Sequence, residues 1–305
     1  MSNILISVLM SVFNENTKFL KLSIDSIINQ TYKNIEFIIV NDSPLNETVN
    51  SILDGYESKY NNIKLIKNTD NIGLAKSLNK AIELSQGAYI ARMDSDDISK
   101  PDRIEKQLNY LIYNNYDLIG SYIEKIDAAS KPFGISKVPS NSKKIIHLLP
   151  YATVAFHPTW LGKENIFKEL KYNSIFSTTQ DYDFLNRMIA KGYKVSNIEE
   201  VLLQYRFTYN SISEKKSFFQ INFHYLINLK RKNSDLDLNL SIEQFLMNID
   251  KKEEQAYIKA NNVFIEFSKR KSFFNALIIF IYLFKSRMFR YKIKNFLCSK
   301  IIKEF

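Results

Sequence analysis

Three carboxylates fall within four residues at Asp94, Asp96 and Asp97, where the apolar run Ala88-Tyr89-Ile90-Ala91 gives way to Arg92-Met93 and a loop. An acidic cluster at the end of a buried strand is costly unless positive charge sits on it. Hard oxygen donors suit Mg²⁺ or Mn²⁺, ions that keep part of their water shell and take other ligands from substrate phosphates. The spacing therefore predicts a seat for a metal and a diphosphate. The plainer alternative is that acidic residues here merely end a strand and open a turn. A calcium loop counted from Asp94 would need an oxygen ligand fifth and Gly sixth. Ile98 and Ser99 stand there, which excludes it.

Other chemistry-bearing residues sit at comparable places. Asn14 lies in Phe13-Asn14-Glu15-Asn16, Asp42 in Asn41-Asp42-Ser43-Pro44, and Asn71 opens Asn71-Ile72-Gly73. Asp181 lies in Thr179-Gln180-Asp181-Tyr182-Asp183, and Arg206 follows an apolar stretch. Each has a structural alternative. Asp42 can shape the turn before Pro44, and Asp181 can cap a helix. His157 can be a loop residue or face an acceptor, and Arg206 can pair with a diphosphate or with a structural carboxylate.

The elements that must position these residues follow from periodicity. Ile4–Val12, Ile35–Val40 and Ile63–Ile66 read as strands, and Asn16 or Thr17 can cap the first helix. Leu20, Ile24, Ile27 and Ile28 form one helical stripe, Val49, Ile52, Leu53 and Tyr56 a second, and Leu74, Leu78, Ala81 and Ile82 a third, ended by Gly87. This alternation predicts an α/β fold with a mostly parallel sheet, its strand ends at Asn14, Asp42 and Asp94 on one edge. Beyond Pro101 come a helix through Ile104, Leu108 and Leu111 and a strand over Leu118–Ile126. A long connection is expected from Lys131 to Pro150, then a helix led by Asp181, then two short strand pieces within Val195–Tyr205.

Composition narrows the class. The 305 residues are 45% hydrophobic, enough for one large domain with an appendage, and the single Cys298 allows no internal disulfide. The start reads as a strand rather than a secretory signal. The net charge of +10 is not spread evenly. Residues 264–305 carry 10 Lys and Arg against 2 Asp and Glu, while residues 1–213 carry 24 against 23. A near-neutral body with an acidic candidate site argues against a nucleic-acid binder. We place the domain boundary at 213/214, with a nucleotide-binding half 1–97, an acceptor half 98–213 and a helical region 214–305. In the last, the apolar block Phe273–Phe284 is flanked by Lys269-Arg270-Lys271 and by Lys285, Arg287, Arg290, Lys292 and Lys294. It is too short to span a bilayer. It suits a helix lying on an anionic membrane surface, or else an ordinary core helix with a basic end.

Taken together, several segments resemble family 2 glycosyltransferases, over roughly residues 4–213 and in that family's order. They are Ile6–Asn14, Ser26–Tyr32, Glu36–Asp42, Asn71–Ala75, Asp94–Asp97, Pro101-Asp102-Arg103, His157-Pro158-Thr159 and Gln180-Asp181. The resemblance implies a GT-A fold, of the bacterial surface-polysaccharide type, and inverting transfer of a sugar, a hexose or N-acetylhexosamine, from a UDP-sugar with Mn²⁺ or Mg²⁺. Asp42 would then meet the uracil, Asp94 the ribose or the metal's shell, and Asp96 the metal, with Asn14, Asn71 and Arg206 also on the donor. Asp181 matches the family's catalytic base. Gln180 replaces the usual Glu, and Thr208 stands where a metal-binding His is common. The expected acceptor is a lipid-linked or surface-polysaccharide glycan, and the expected place is the cytoplasmic face of a membrane. The alternative is a catalytically reduced subunit that binds a nucleotide-sugar or a glycan.

Overall fold

The computed structural model describes residues 4–207 and 216–304. Thr208 lies outside the described residues. The chain divides into two compact units, residues 1–146 with 153–209 and residues 147–152 with 210–305.

The first unit is built on a mixed sheet. In chain order its elements are β1 (Ile6–Val12), α1 (Thr17–Ile28), β2 (Ile35–Asn41), α2 (Glu47–Lys59), β3 (Ile63–Lys67), α3 (Leu74–Leu84) and β4 (Tyr89–Asp94). They continue with β5 (Ile98–Ser99), α4 (Arg103–Tyr113), β6 (Leu118–Ile126), β7 (Pro132–Ser136) and α5 (Ser142–Leu148). A 3₁₀ turn over His157–Thr159 precedes β8 (Leu161–Lys163), α6 (Glu164–Leu170), α7 (Gln180–Ala190) and β9 (Val195–Arg206).

The strand order is β3-β2-β1-β4-β8-β6-β9-β5, with β7 on β6. β3, β2, β1 and β4 are parallel. β8 pairs antiparallel with both β4 and β6, while β6 and β9 are parallel. The all-buried β1 reads Ile-Ser-Val-Leu-Met-Ser-Val, as expected for a strand covered on both faces. Val8, Met10, Ile24, Phe37, Ile39 and Leu108 belong to the core that results. Register puts Ser11 opposite Asp94 and Val12 opposite Asn41, so the loops holding Asn14, Asp42 and Asp94–Asp97 leave from one sheet edge.

Three expectations change. Lys131–Pro150 is not one long connection: it holds β7, paired with β6, and α5. Val195–Arg206 is one strand, not two pieces. Its register against β6 jumps from Ser121–Ile198 to Tyr122–Val201, and the bulge leaves Glu199 and Glu200 exposed. Gly87 does not end α3, which stops at Leu84 with Ser85 as its cap. It is instead a close approach: a Cβ there would lie 2.6 Å from the Ser7 nitrogen and 2.7 Å from the Leu5 oxygen.

The second unit is helical where it is described: α8 (Ser217–Lys232), α9 (Leu238–Met247), α10 (Lys251–Lys269), α11 (Phe273–Lys285) and α12 (Arg287–Glu304). Phe218, Tyr257, Ala260, Met288 and Phe289 form its buried cluster. α11 has no fully buried residue. Phe273, Phe274, Leu277, Phe280, Ile281 and Phe284 are exposed, at the i, i+4, i+7, i+11 spacing of a single helical face. Among the described residues no helix is long and apolar enough to cross a membrane.

Candidate active site

Asp42 is the hub of the β2 edge. It is 1% exposed, and N–H groups fill both of its oxygens. Asn68 Nδ2 and the Ile72 N–H donate to Oδ1 at 2.7 and 2.9 Å. Asn71 Nδ2 and the Gly73 N–H donate to Oδ2 at 3.0 and 2.8 Å. A carboxylate has about four lone-pair sites, so in this arrangement none is left for a base. Asp42 therefore organises the loop that opens α3, where Gly73 adopts φ +84°, a conformation unfavourable with a side chain. Asn71, exposed on that loop, carries the amide oxygen that a ligand can reach. Asn14, at φ 52°, accepts from Ser43 Oγ (2.6 Å) and Asn46 Nδ2 (3.2 Å), which joins the β1 loop to the β2 loop.

The β4 loop is dense in charge. Arg92, buried in the strand, pairs with Asp94. Ser95 Oγ donates to Glu15 at 2.8 Å, bringing a further carboxyl from the β1 loop. Asp96 makes no ion pair among the described residues. Burial first, then Asp94 and Glu15, push its carboxyl up to about 7. Asp97 is fully buried, and its pKa is raised by burial and by Asp96 and Asp94. It accepts the Arg206 main-chain N–H at 2.8 Å.

Arg206 is fixed by many contacts. Its Nε donates to the Asp96 carbonyl (2.8 Å), and Nη1 donates to the Asp127 carbonyl (2.9 Å) and Ser130 Oγ (3.0 Å). The guanidinium also stacks 4.0 Å over the Phe19 ring. Among the described residues its buried Nη2 has no partner, which leaves one donor beside the acidic loop. Arg103, wholly buried, donates to the carbonyls of Arg92 (3.1 Å) and Pro158 (2.9 Å) and to Ser99 Oγ (2.8 Å). Desolvation lowers its pKa to about 10.

Asp181 is the second residue of α7, whose cap position belongs to Thr179 in a left-handed conformation at φ 69°. Asp181 is thus not the cap, although its Oδ1 accepts the Tyr182 N–H at 2.8 Å. It is partly open to solvent, yet protein crowds it and desolvation raises its pKa, with Asp94 adding to the rise. Tyr205, whose pKa burial also raises, feels Asp97, Asp94, Asp96 and Asp181 together. Helix α7 is anchored by Arg187, which pairs with Asp183 (2.8 Å) and donates to the carbonyls of Leu170 and Lys171. His157 has a packing role. It is buried, bonded through Nε2 to the Tyr172 hydroxyl at 2.8 Å, with its ring edge-to-face on Trp160.

Glu15, Arg92, Arg103 and Tyr205 have no individual role in the sequence pattern, and Asp97 enters it only as a member of the acidic cluster. A signal existed for Arg92, a charge inside an apolar strand. Asp97 stood out in the acidic cluster and Arg103 in Pro101-Asp102-Arg103, but no local pattern marked Glu15 or Tyr205 or showed which distant residues any of them meets.

One edge of the parallel strands thus carries hydrogen-bonded loops and an acidic turn, with the Asp181 carboxyl of α7 within electrostatic reach of Asp94. Comparison with known proteins agrees. Residues 7–189 match the model of glycosyl transferase family 2. An uncharacterised glycosyltransferase of Methanocaldococcus jannaschii is 43% identical over 206 residues, 66% of this chain and 70% of its own length. The O-antigen biosynthesis glycosyltransferase WbnJ of Escherichia coli is 35% identical over 217 residues, 70% of this chain and 83% of its own. The fold is also that of S. aureus TarS 1–349 in complex with UDP-GlcNAc, at a TM-score of 0.59 and 16% identity, over 92% of this chain and 80% of that one. The fold is thus GT-A, and the chain belongs to glycosyl transferase family 2.

Proposed function

We propose that this glycosyltransferase moves a hexosyl or N-acetylhexosaminyl group from a UDP-sugar to a glycan acceptor, lipid-linked or part of a surface polysaccharide, with inversion and with a divalent metal. The observation that carries the reading is Asp96: a half-buried carboxyl crowded by Asp94 and Glu15, in no ion pair among the described residues, on the edge of the parallel strands where the loops meet. Support for the donor comes from TarS, solved with UDP and with UDP-GlcNAc. Support for the acceptor class comes from WbnJ and from the putative teichuronic acid biosynthesis glycosyltransferase TuaG of Bacillus subtilis.

The donor set fits Mn²⁺ or Mg²⁺. Among the described residues no group of three or more His, Cys, Asp or Glu forms a complete cage. One or two carboxylates plus substrate phosphates is a common way to hold such ions. Asp96 would hold the ion, with Asp94 beside it. Bound there, the ion would neutralise charge on the departing diphosphate.

The chain's own residues do the rest. The loop tied by Asp42 offers Asn71 to the base, and Asn14 sets the facing loop. Arg206 Nη2 lies beside the acidic loop as a donor to phosphate oxygens. Asp181, with its raised pKa, takes the proton of the acceptor hydroxyl as that oxygen attacks the face opposite the leaving group. The exposed stripe of α11 and the cations around it suit a peripheral seat on the inner face of the cell membrane.

The test is to incubate the protein with UDP-sugars, Mn²⁺ or Mg²⁺ and candidate glycans, following UDP release and the anomeric configuration of the product. UDP release that depends on acceptor and metal, with inverted product, is expected. Binding of UDP-sugar without release under any acceptor would leave only a nucleotide-sugar-binding subunit.

A further inference from the structure

Beside the acidic loop lies a group of aromatic rings that the proposed chemistry does not use. Tyr205 and Phe207 are two residues apart at the end of β9, with ring centroids 6.4 Å apart. The Phe207 N–H donates to the Ile126 carbonyl on β6, and β7 lies on β6 as well. Phe133 of β7 meets Phe207 edge to face at 6.2 Å. Phe133 is 58% exposed and Phe207 55%, with Ile135 at 56% on the same strand as Phe133. Single exposed apolar residues are ordinary, but adjoining exposed rings on neighbouring strands are not.

Two observations connect this platform to the reacting centre. Arg206, between Tyr205 and Phe207, holds the Asp96 carbonyl with Nε and the Asp127 carbonyl and Ser130 hydroxyl with Nη1. One guanidinium therefore fixes the acidic loop and the β6–β7 turn relative to each other. Tyr205, the inner ring, lies within electrostatic reach of both Asp96 and Asp181. The rings thus run outward from the place where the acceptor hydroxyl must be.

We propose that Tyr205, Phe207 and Phe133 form a subsite for the sugar rings of the acceptor glycan that precede the reacting hydroxyl. This rests on the reading that the acceptor is a glycan. The electron-rich face of an aromatic ring attracts the weakly positive C–H bonds on one face of a pyranose. The sugar's hydroxyls stay at its rim, in water or against polar neighbours. A hydrocarbon chain gains chiefly by being enclosed, and this platform is open.

The test uses the 305-residue chain with Phe207→Trp as reporter. The one native tryptophan, Trp160, is fully buried, so an exposed indole supplies the responsive signal. The probes are methyl glycosides and disaccharides of glucose, galactose, mannose and N-acetylglucosamine, and a polyprenyl phosphate in micelles. A saturable emission change with at least one saccharide is expected. Adding Phe133→Ala to the reporter should raise its half-saturation concentration about tenfold, the loss of one ring contact, with UDP affinity unaltered. A response to the polyprenyl phosphate alone, to no saccharide, or one insensitive to Phe133→Ala overturns the proposal. The titration needs no donor, so failure of UDP to bind would count against the donor reading only.

Discussion

The main-chain N–H of Arg206 donates to the Asp97 carboxyl across 2.8 Å, joining residues 109 apart in the chain. The bond closes the end of β9 onto the acidic loop, and what it requires of Asp97 is an acceptor rather than a charge.

Asp97→Asn keeps that acceptor. Because burial and its acidic neighbours favour the neutral carboxyl, the amide should change stability by less than about 1 kcal/mol. Asp97→Ala orphans a buried N–H and should cost about 1–3 kcal/mol. Urea unfolding followed by the emission of Trp160 measures both. Equal losses in the two variants would show that the bond is unimportant.

Asp96→Ala should leave the fold intact, since it relieves repulsion with Asp94 and Glu15. Metal-dependent UDP binding should disappear, and transfer should fall on the order of 10²-fold or more. Calorimetry of UDP binding with and without Mn²⁺ decides it. An unchanged metal dependence would place the ion elsewhere.

Asp181→Asn separates a base from a structural carboxyl. The amide oxygen can still accept the Tyr182 N–H, so the helix start should persist. If Asp181 removes the acceptor proton, transfer falls about 10²–10⁴-fold while UDP affinity hardly moves. Transfer within a few-fold of the parent enzyme would sink the assignment.

His157 should shape the acid limb of stability. Burial, with Arg92 nearby, holds its folded pKa well below 6.5. The unfolded chain therefore takes up a proton first: the stabilisation is complete above pH 6.5 and lost as pH falls below it, by up to about 1.4 kcal/mol per pH unit. Asp97 and Asp181, with raised folded values, act in the opposite sense. The readout is thus the difference between the parent and His157→Gln, which should be flatter between pH 6.5 and 5. Parallel curves would refute it.

Membrane attachment is best tested on the exposed face of α11. Truncation before residue 264 would remove Met288 and Phe289, which are buried against Tyr257 and Ala260. Phe273→Ser with Phe280→Ser leaves that cluster whole. Pelleting with anionic vesicles should drop at least about tenfold, with UDP binding unaltered. Pelleting that ignores both the substitutions and added salt would exclude this surface.

The parallel half of the sheet was legible because buried strands are continuous apolar runs, and its register follows from strands that end together. β7 was not legible, since Phe133 and Ile135 face outward and carry no core pattern. The bulge at Glu199-Glu200 looked like a break because charges mark it. Asp42 and the Asn71-Ile72-Gly73 segment were each recognisable as site elements, but that the segment and Asn68 donate to Asp42 was not, because they meet only in the fold. Asp97 and Arg206 were both visible in the sequence. Their bond was not, because only the fold brings them together.

The four-donor cage around Asp42 also bears on how fast the donor arrives. A loop with four N–H groups closed on one buried carboxylate has little freedom left to lose on binding. Association of UDP should then be a single step, with an observed rate that climbs linearly with nucleotide concentration and shows no plateau from slow rearrangement. Asp42→Ala frees four N–H groups at once, the Asn71 amide among them, and should introduce that plateau in stopped-flow traces.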